Sequence, residues 1–351
     1  MQGEGRGHMT QTISMENILI RNGHEVVEVL VGKSERREIP KFFYDKVKAP
    51  VKLYESPNFL VGDNNKGILL FKSIIYNIRH CPRYFKSMSF ISQRIKALKP
   101  DMVINFYELL AGLTYAFYRP AAPYICVGHQ FLLLHPKFVF PKGQSLQRFM
   151  LNFNTRITSL RAKKYLALSF VPMEDVPERK VYVVPPLLRK EVLELTPGNE
   201  KYILGYMLNA GYSEEIIRWH RNRPEITAHF FWDKSDAPED LEVEKNLYFH
   251  RINDVKFLTF MKDCMGYAST SGFESICEAM FLNKPILMVP TGGHFEQQCN
   301  SLDASRAGAG IVCQSFELDK LLDYIPDYIK NDKFETWIKN AESSFLKLIT
   351  G

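Results

Sequence analysis

The chain has 351 residues, 45 Lys and Arg against 39 Asp and Glu (net +6), and 46% apolar side chains. That length exceeds what one hydrophobic core ordinarily serves, so two domains are expected. No apolar run reaches the roughly 18 residues a spanning helix needs, and the opening segment is Gly- and charge-bearing rather than a signal peptide, which argues against an integral helical membrane protein and predicts a cytosolic one.

Cys81, Cys126, Cys264, Cys277, Cys299 and Cys313 lack CxxC or Cys/His spacing and sit mostly among apolar neighbours, so they read as reduced core residues. The net charge hides an asymmetry. Residues 1–190 carry 29 basic and 14 acidic side chains, net +15, whereas residues 191–351 carry 16 and 25, net −9. The two halves therefore have different electrostatic tasks. Nucleic acid is the weaker partner for the basic half, because no basic motif of a known binding module is present.

In chain order, the glycine-rich opening Gly3-Glu4-Gly5-Arg6-Gly7-His8 leads into a helical stretch. Continuous apolar, β-branched runs follow at 25–32, 101–106, 123–128, 165–170 and 180–184, then at 202–207, 226–232, 246–252, 265–269, 285–289 and 309–313, with helical patterns between them. Unbroken rather than alternating hydrophobicity marks strands buried on both faces, hence parallel sheets covered by helices and two doubly wound, Rossmann-like α/β domains. Pro185-Pro186 continues neither element and is the natural linker, giving domains at 1–187 and 188–332.

Residues 333–351 read as one amphipathic helix with Phe334, Ile338, Ala341, Phe345 and Leu348 on a single face. A doubly wound first domain also needs a strand before its glycine loop, yet only Met1 and Gln2 precede Gly3. The reading favours a start placed inside the true reading frame, with truncation as the alternative. From Phe71 to Lys99, and again from Phe138 to Lys164, Lys and Arg interleave with Phe, Tyr, Ile and Met. Such stretches are either core-facing helices whose basic stems snorkel outward or a surface for a membrane or lipid-linked compound.

The densest chemistry lies near the carboxyl end. Ser269-Thr270-Ser271-Gly272 forms a small-residue turn before a short helix carrying Glu274 and Glu278 one turn apart. A buried strand follows, and Thr291-Gly292-Gly293-His294 then opens a helix with Glu296, Gln297 and Asn300. Backbone N–H groups and helix N-termini beside carboxylates and amides suit a diphosphate joined to a ribose and a sugar.

These motifs resemble the donor-binding half of GT-B-fold glycosyltransferases, nearest to the MurG-like and UDP-glucuronosyltransferase-like group (glycosyltransferase family 28-type). Gly3 to His8, followed by Asn22-Gly23-His24-Glu25-Val26, is similar to the glycine-rich, His-ended loop and strand entry of the same group. The resemblance implies two Rossmann-like domains facing a cleft, the first on the acceptor side and the second holding a nucleotide-sugar, with the terminal helix crossing back to the first. A basic acceptor-side domain then implies an anionic or lipid-linked acceptor, or a peripheral contact with the inner face of a membrane.

By the same resemblance His8 is the catalytic base, the alternative being a His that only positions the loop; Glu4 is a second candidate. Glu278 grips the ribose hydroxyls, or else caps or decorates the surface. Ser269 to Gly272 cradle phosphate, or form an ordinary helix cap. Gln297, Glu296 and Asn300 contact the sugar, Gly292 and Gly293 let backbone approach it, and His294 nears the diphosphate or is simply exposed. Ile252 marks where relatives read uracil through backbone groups. Arg189 and Asn209 are further donor-side candidates, and Ser213 reads as a helix N-cap. Gly3, Gly5 and Gly7 form the first-domain loop. Tyr107, Glu108 and His129 lie at strand ends, where ligands meet such sheets.

No Asp-x-Asp motif for Mn²⁺ or Mg²⁺ occurs in the chain. The resemblance thus implies an inverting, metal-independent hexosyltransferase with no resident cofactor, using a UDP-sugar or similar donor and a hydroxyl acceptor in bacterial cell-surface glycan, glycolipid or secondary-metabolite glycosylation. A nucleotide-sugar 2-epimerase shares the fold, but Thr291-Gly292-Gly293-His294 replaces its arginine-bearing turn. A catalytically silent nucleotide-binding relative is the third reading. Neither the sugar, the acceptor nor the oligomeric state is legible here.

Overall fold

The computed structural model describes residues 1–34, 38–57, 76, 77, 79–207, 210–234 and 236–351. Its described residues divide into two compact units, one holding residues up to 189 together with 337–351, the other residues 190–336. Both are α/β, with parallel sheets between helices.

Among the described residues of the second unit, seven strands lie in the order β13-β12-β11-β7-β8-β10-β9. They are β7 (Tyr202–Met207), β8 (Thr227–Trp232), β9 (Asp240–Glu244), β10 (Leu247–Arg251), β11 (Gly266–Ser269), β12 (Ile286–Met288) and β13 (Gly310–Val312). Apart from β9, this is the order of a dinucleotide-binding sheet, with the reversal of winding between β7 and β11. Ile203, Phe230, Phe249, Ala268 and Leu287, all fully buried, form its core. β9 runs antiparallel to β10 and was not anticipated, because Asp-Leu-Glu-Val-Glu at an exposed edge lacks the unbroken apolar run of a buried strand.

The first unit contains a four-stranded parallel sheet of β3 (Val103–Phe106), β4 (Tyr124–Gly128), β5 (Lys164–Leu168) and β6 (Val181–Val184), and a parallel pair, β1 (Val29–Lys33) and β2 (Val51–Glu55). The central place expected for a first strand is partly filled. Gln2 N donates to Phe106 O at 3.2 Å, Gly32 N to Met1 O at 3.0 Å and Gly3 N to Gly32 O at 2.7 Å, so the first three residues bridge β3 and β1. Gly3 is required there, since an added Cβ would stand 2.8 Å from Gly32 O. β2 also escaped the sequence reading: Lys52 and Leu53 are exposed, as on an edge strand.

Two sequence expectations need correction. Gly7 and His8 are not loop residues, because the helix Arg6–Arg21 begins two residues earlier with Gly5 as its N-cap. The carboxyl-terminal segment is two helices, Asp332–Lys339 and Ala341–Thr350, broken at Asn340. Phe334, Ile338 and Phe345 are buried as expected, whereas Ala341 and Leu348 are only half-buried. Within the first unit, Lys164 Nζ donates to Leu348 O and Arg21 pairs with Glu342 of the last helix, while Trp337 Nε1, from the helix before it, donates to Ser169 O. Among the described residues no helix is long and apolar enough to cross a membrane.

Candidate functional site

β11 ends at the point where the winding of its sheet reverses, which is where doubly wound sheets bind ligands. Ser269, Thr270 and Ser271 are buried there. Thr270 N donates to Tyr206 O of β7 at 3.3 Å, and Val289 N donates to Ser269 O at 2.8 Å, so the turn is pinned from both flanking strands. Gly272 is the N-cap of the helix Phe273–Phe281 and offers no side chain to its first N–H groups. A helix start of that kind is suited to receive an anion.

The helix Phe295–Arg306 closes over the same turn. Asn300, 4% exposed, donates its amide to Ser271 O at 3.2 Å. Its Oδ1 and the Ser271 hydroxyl are both buried without a protein partner among the described residues. Buried polar atoms left this way are rare and costly, and two on elements that meet at one turn mark a place where a ligand would complete the hydrogen bonding.

Gln297, also buried, accepts from Thr291 N through Oε1 at 2.8 Å, so its carbonyl braces the 291–294 turn and only its amide nitrogen can serve a sugar hydroxyl. His294 is the N-cap of the same helix, and Nδ1 accepts from Gln297 N at 3.4 Å. That contact places the neutral ring's proton on Nε2, a donor fit for a phosphate oxygen. Gly293 has φ +75°, a left-handed conformation that L side chains rarely adopt, and Gly292 beside it is exposed.

Glu278 is 3% exposed, so it is not a surface residue. Glu296 is half-buried in the first turn of its helix, where the helix dipole favours a carboxylate. Ile252 is half-buried directly after β10. Asn209 lies outside the described residues. Arg189 belongs to the first unit, where it is 8% exposed rather than a solvated linker side chain. The helix after Asn209 starts at Ser213 with Tyr212 in the N-cap position, which corrects Ser213 as the cap.

In the first unit His8 is half-buried, with Nδ1 3.2 Å from Gln11 Oε1 and its ring stacked on Tyr107 at 6.1 Å between centroids. An amide oxygen can only accept, so Nδ1 carries the proton and Nε2 is the basic nitrogen. Tyr107 has φ +52°, and its hydroxyl bonds Thr155 Oγ1 at 2.8 Å and accepts from Asn154 at 3.1 Å. A strained backbone held by two side-chain contacts is the mark of an over-determined position. Gln11, Asn154 and Thr155 were missed by sequence reasoning, although Gln11 lies three residues from His8 and shares its helix face.

Three residues expected at the ligand face make hydrogen bonds within the scaffold. Glu108 is 1% exposed, caps the helix Leu109–Phe117 by accepting from Leu110 N, and accepts from Ser56 Oγ at 2.6 Å. Burial raises its pKa above the usual carboxylate range. His129 is 3% exposed and donates Nδ1 to Leu168 O at 2.8 Å, with burial lowering its pKa to about 4. Glu4 accepts from Ser34 N at 2.6 Å. Gly5, the N-cap, has open space around its Cα. Among the described residues no cluster of three or more His, Cys, Asp or Glu could hold a metal ion.

A buried anion-receptive turn at the winding reversal, fenced by amides and carboxylates, can hold a phosphorylated, hydroxyl-rich molecule. Comparison with known proteins agrees. The chain is 22% identical to an uncharacterized glycosyltransferase of Methanosarcina mazei over 97% of its length and 91% of that protein. Its fold matches Acinetobacter baumannii MurG (TM-score 0.53, 16% identity, covering 100% of this chain and 98% of that one). It also matches Arabidopsis thaliana UGT89C1, solved in complex with UDP-L-rhamnose (TM-score 0.59, 14% identity, covering 98% and 92%). The family described as Glycosyl transferase family 1 matches residues 1–331, and the chain belongs to it: it is a glycosyltransferase of the GT-B fold.

Proposed function

We propose that this glycosyltransferase moves a sugar from a UDP-sugar to a hydroxyl acceptor, with inversion and without a metal ion. The observation that carries the proposal is the pair of unpartnered buried groups, Asn300 Oδ1 and Ser271 Oγ, in front of a helix start with no side-chain cap. In this reading the turn 269–272 and His294 Nε2 hold the diphosphate, so that hydrogen bonds and the helix dipole take up the leaving-group charge. Glu278 binds the ribose. Glu296, Asn300 and the Gln297 amide nitrogen bind the sugar, with Gly292 and Gly293 giving backbone access. The UDP-L-rhamnose complex of the Arabidopsis thaliana relative supports a uridine donor.

His8 Nε2 takes the acceptor proton as the hydroxyl oxygen attacks the anomeric carbon from the face opposite the departing UDP. The C–O bond to the acceptor forms as the C–O bond to phosphate breaks. The acceptor is an anionic or lipid-linked compound met at the cytoplasmic face of a membrane. The test is product analysis: incubation with a UDP-sugar and a hydroxyl acceptor in EDTA should release UDP and give a glycoside of inverted anomeric configuration by proton NMR. Retained configuration, or release only with added Mn²⁺ or Mg²⁺, would refute the corresponding part.

A further inference from the structure

The helix Ser145–Thr158 is amphipathic in the reverse sense. Its inward face is polar: Thr155 and Thr158 are fully buried, Thr155 bonds the Tyr107 hydroxyl, and the Thr158 carbonyl accepts from Tyr124 and Asn105. Its outward face is apolar. Leu146, Phe149 and Phe153 are 67%, 65% and 55% exposed, at spacings that put them on one side, and the two Phe rings stack at 6.0 Å. An ordinary surface helix buries its apolar stripe and hydrates its polar one.

Charge accompanies this face. No Asp or Glu occurs from Leu109 to Met173, while Arg119, Lys142, Arg148 and Arg156 are exposed. Arg148 lies over the Phe140 ring at 4.0 Å, which keeps its guanidinium beside the aromatic surface. The neighbouring helices Cys81–Leu98 and Leu109–Phe117 add Phe85 and Phe117, exposed at 49% and 65% with rings in contact at 6.4 Å. Exposed aromatics set among basic side chains, with no carboxylate from 109 to 173, complement an anionic lipid surface.

We infer that the outward face of Ser145–Thr158 seats on an anionic phospholipid bilayer, Phe149, Phe153 and Leu146 entering the headgroup boundary and Arg148 and Arg156 pairing with lipid phosphates. The inference deepens the membrane-side acceptor proposed above by naming the surface, and it is tested without donor or acceptor, so transfer activity does not enter the readout. In co-sedimentation with phosphatidylglycerol–phosphatidylcholine vesicles the full chain binds. It binds phosphatidylcholine vesicles at least about tenfold more weakly, and added salt releases it.

The double substitution Phe149→Ser, Phe153→Ser, and separately Arg148→Glu, Arg156→Glu, each lower partitioning about tenfold or more, while the melting temperature is unchanged because both pairs are exposed. Equal partitioning of the full chain and both variants would overturn the inference. So would a dimer in analytical ultracentrifugation that the Phe variant dissociates, since a second copy would then cover this face.

Discussion

The Asn300 amide donates to the Ser271 carbonyl at 3.2 Å, joining the helix Phe295–Arg306 to the turn after β11. Two motifs separated by 29 residues thus become one wall of the candidate donor site. Asn300→Ala should remove that brace and, if Asn300 binds the sugar as proposed, a donor contact with it. UDP-sugar affinity is expected to fall about tenfold, the equivalent of one good hydrogen bond, with the melting temperature little changed. Isothermal titration in EDTA reads this directly, and wild-type affinity in the variant would remove Asn300 from the site.

His8→Ala should leave donor binding intact and lower kcat by about 10²–10⁴-fold, the range of a lost general base. Gln11→Glu supplies a charged partner at Nδ1 in place of an amide. It should raise the His8 pKa and move the acid limb of the kcat/KM profile upward in pH, whereas a purely structural Gln11 would change the rate without moving the limb.

Glu278→Gln keeps the size of a buried side chain and removes its charge. If that carboxylate accepts two ribose hydroxyl bonds, affinity for uridine falls several-fold more than affinity for 2′,3′-dideoxyuridine, which offers no hydroxyls there. Equal losses for the two nucleosides would assign Glu278 to packing.

Stability should depend on pH through His129. Its folded pKa, about 4, lies below the 6.5 of an unfolded histidine. The unfolded chain therefore binds a proton first as pH falls, and stability is lost between about pH 6.5 and 4, then levels off. The window corresponds to about 3 kcal/mol, so the urea midpoint should drop across it. His129→Gln, which retains a donor for Leu168 O, should flatten that dependence. His229, pushed to about 4 chiefly by burial and then by His250, contributes with the same sign.

Gly32→Ala would put a Cβ 2.5 Å from Glu108 Oε2, a carboxyl already engaged with Ser56 and the Leu110 N–H. The expected destabilisation is about 1–3 kcal/mol, as for overpacking in a core, read as a lowered melting temperature. An unchanged melting temperature would mean that the cap can shift without cost.

Much of the fold was legible because buried parallel strands announce themselves as unbroken apolar runs, and eleven such stretches read from the sequence coincide with β1, β3 to β8 and β10 to β13. β2 and β9 were not, since an edge strand with Lys52 and Leu53 exposed or with alternating acids carries no such signal. In the second unit the candidate site could be proposed from the sequence because its residues lie in two contiguous motifs. In the first unit the roles of single residues were not legible. Whether Glu108 faces a ligand or caps a helix depends on Ser56 and Gly32, and whether His8 sits in a loop or a helix depends on where its helix starts, at Arg6. For Ser145–Thr158 the sequence left a core-facing helix and a lipid-facing surface both open, because periodicity reports a stripe but not the side on which it lies.

The central claim, that the turn 269–272 with Asn300 holds a uridine diphosphate sugar without metal, is tested most directly by thermal shift in EDTA with UDP, GDP, dTDP and CMP and their sugars. Stabilisation by the uridine series alone is predicted, approaching about 2.7 kcal/mol at a hundredfold excess over Kd and falling to about half of that in Asn300→Ala at the same ligand concentration. No shift with any nucleotide, or a shift that appears only with divalent metal or persists unchanged in the variant, would contradict it.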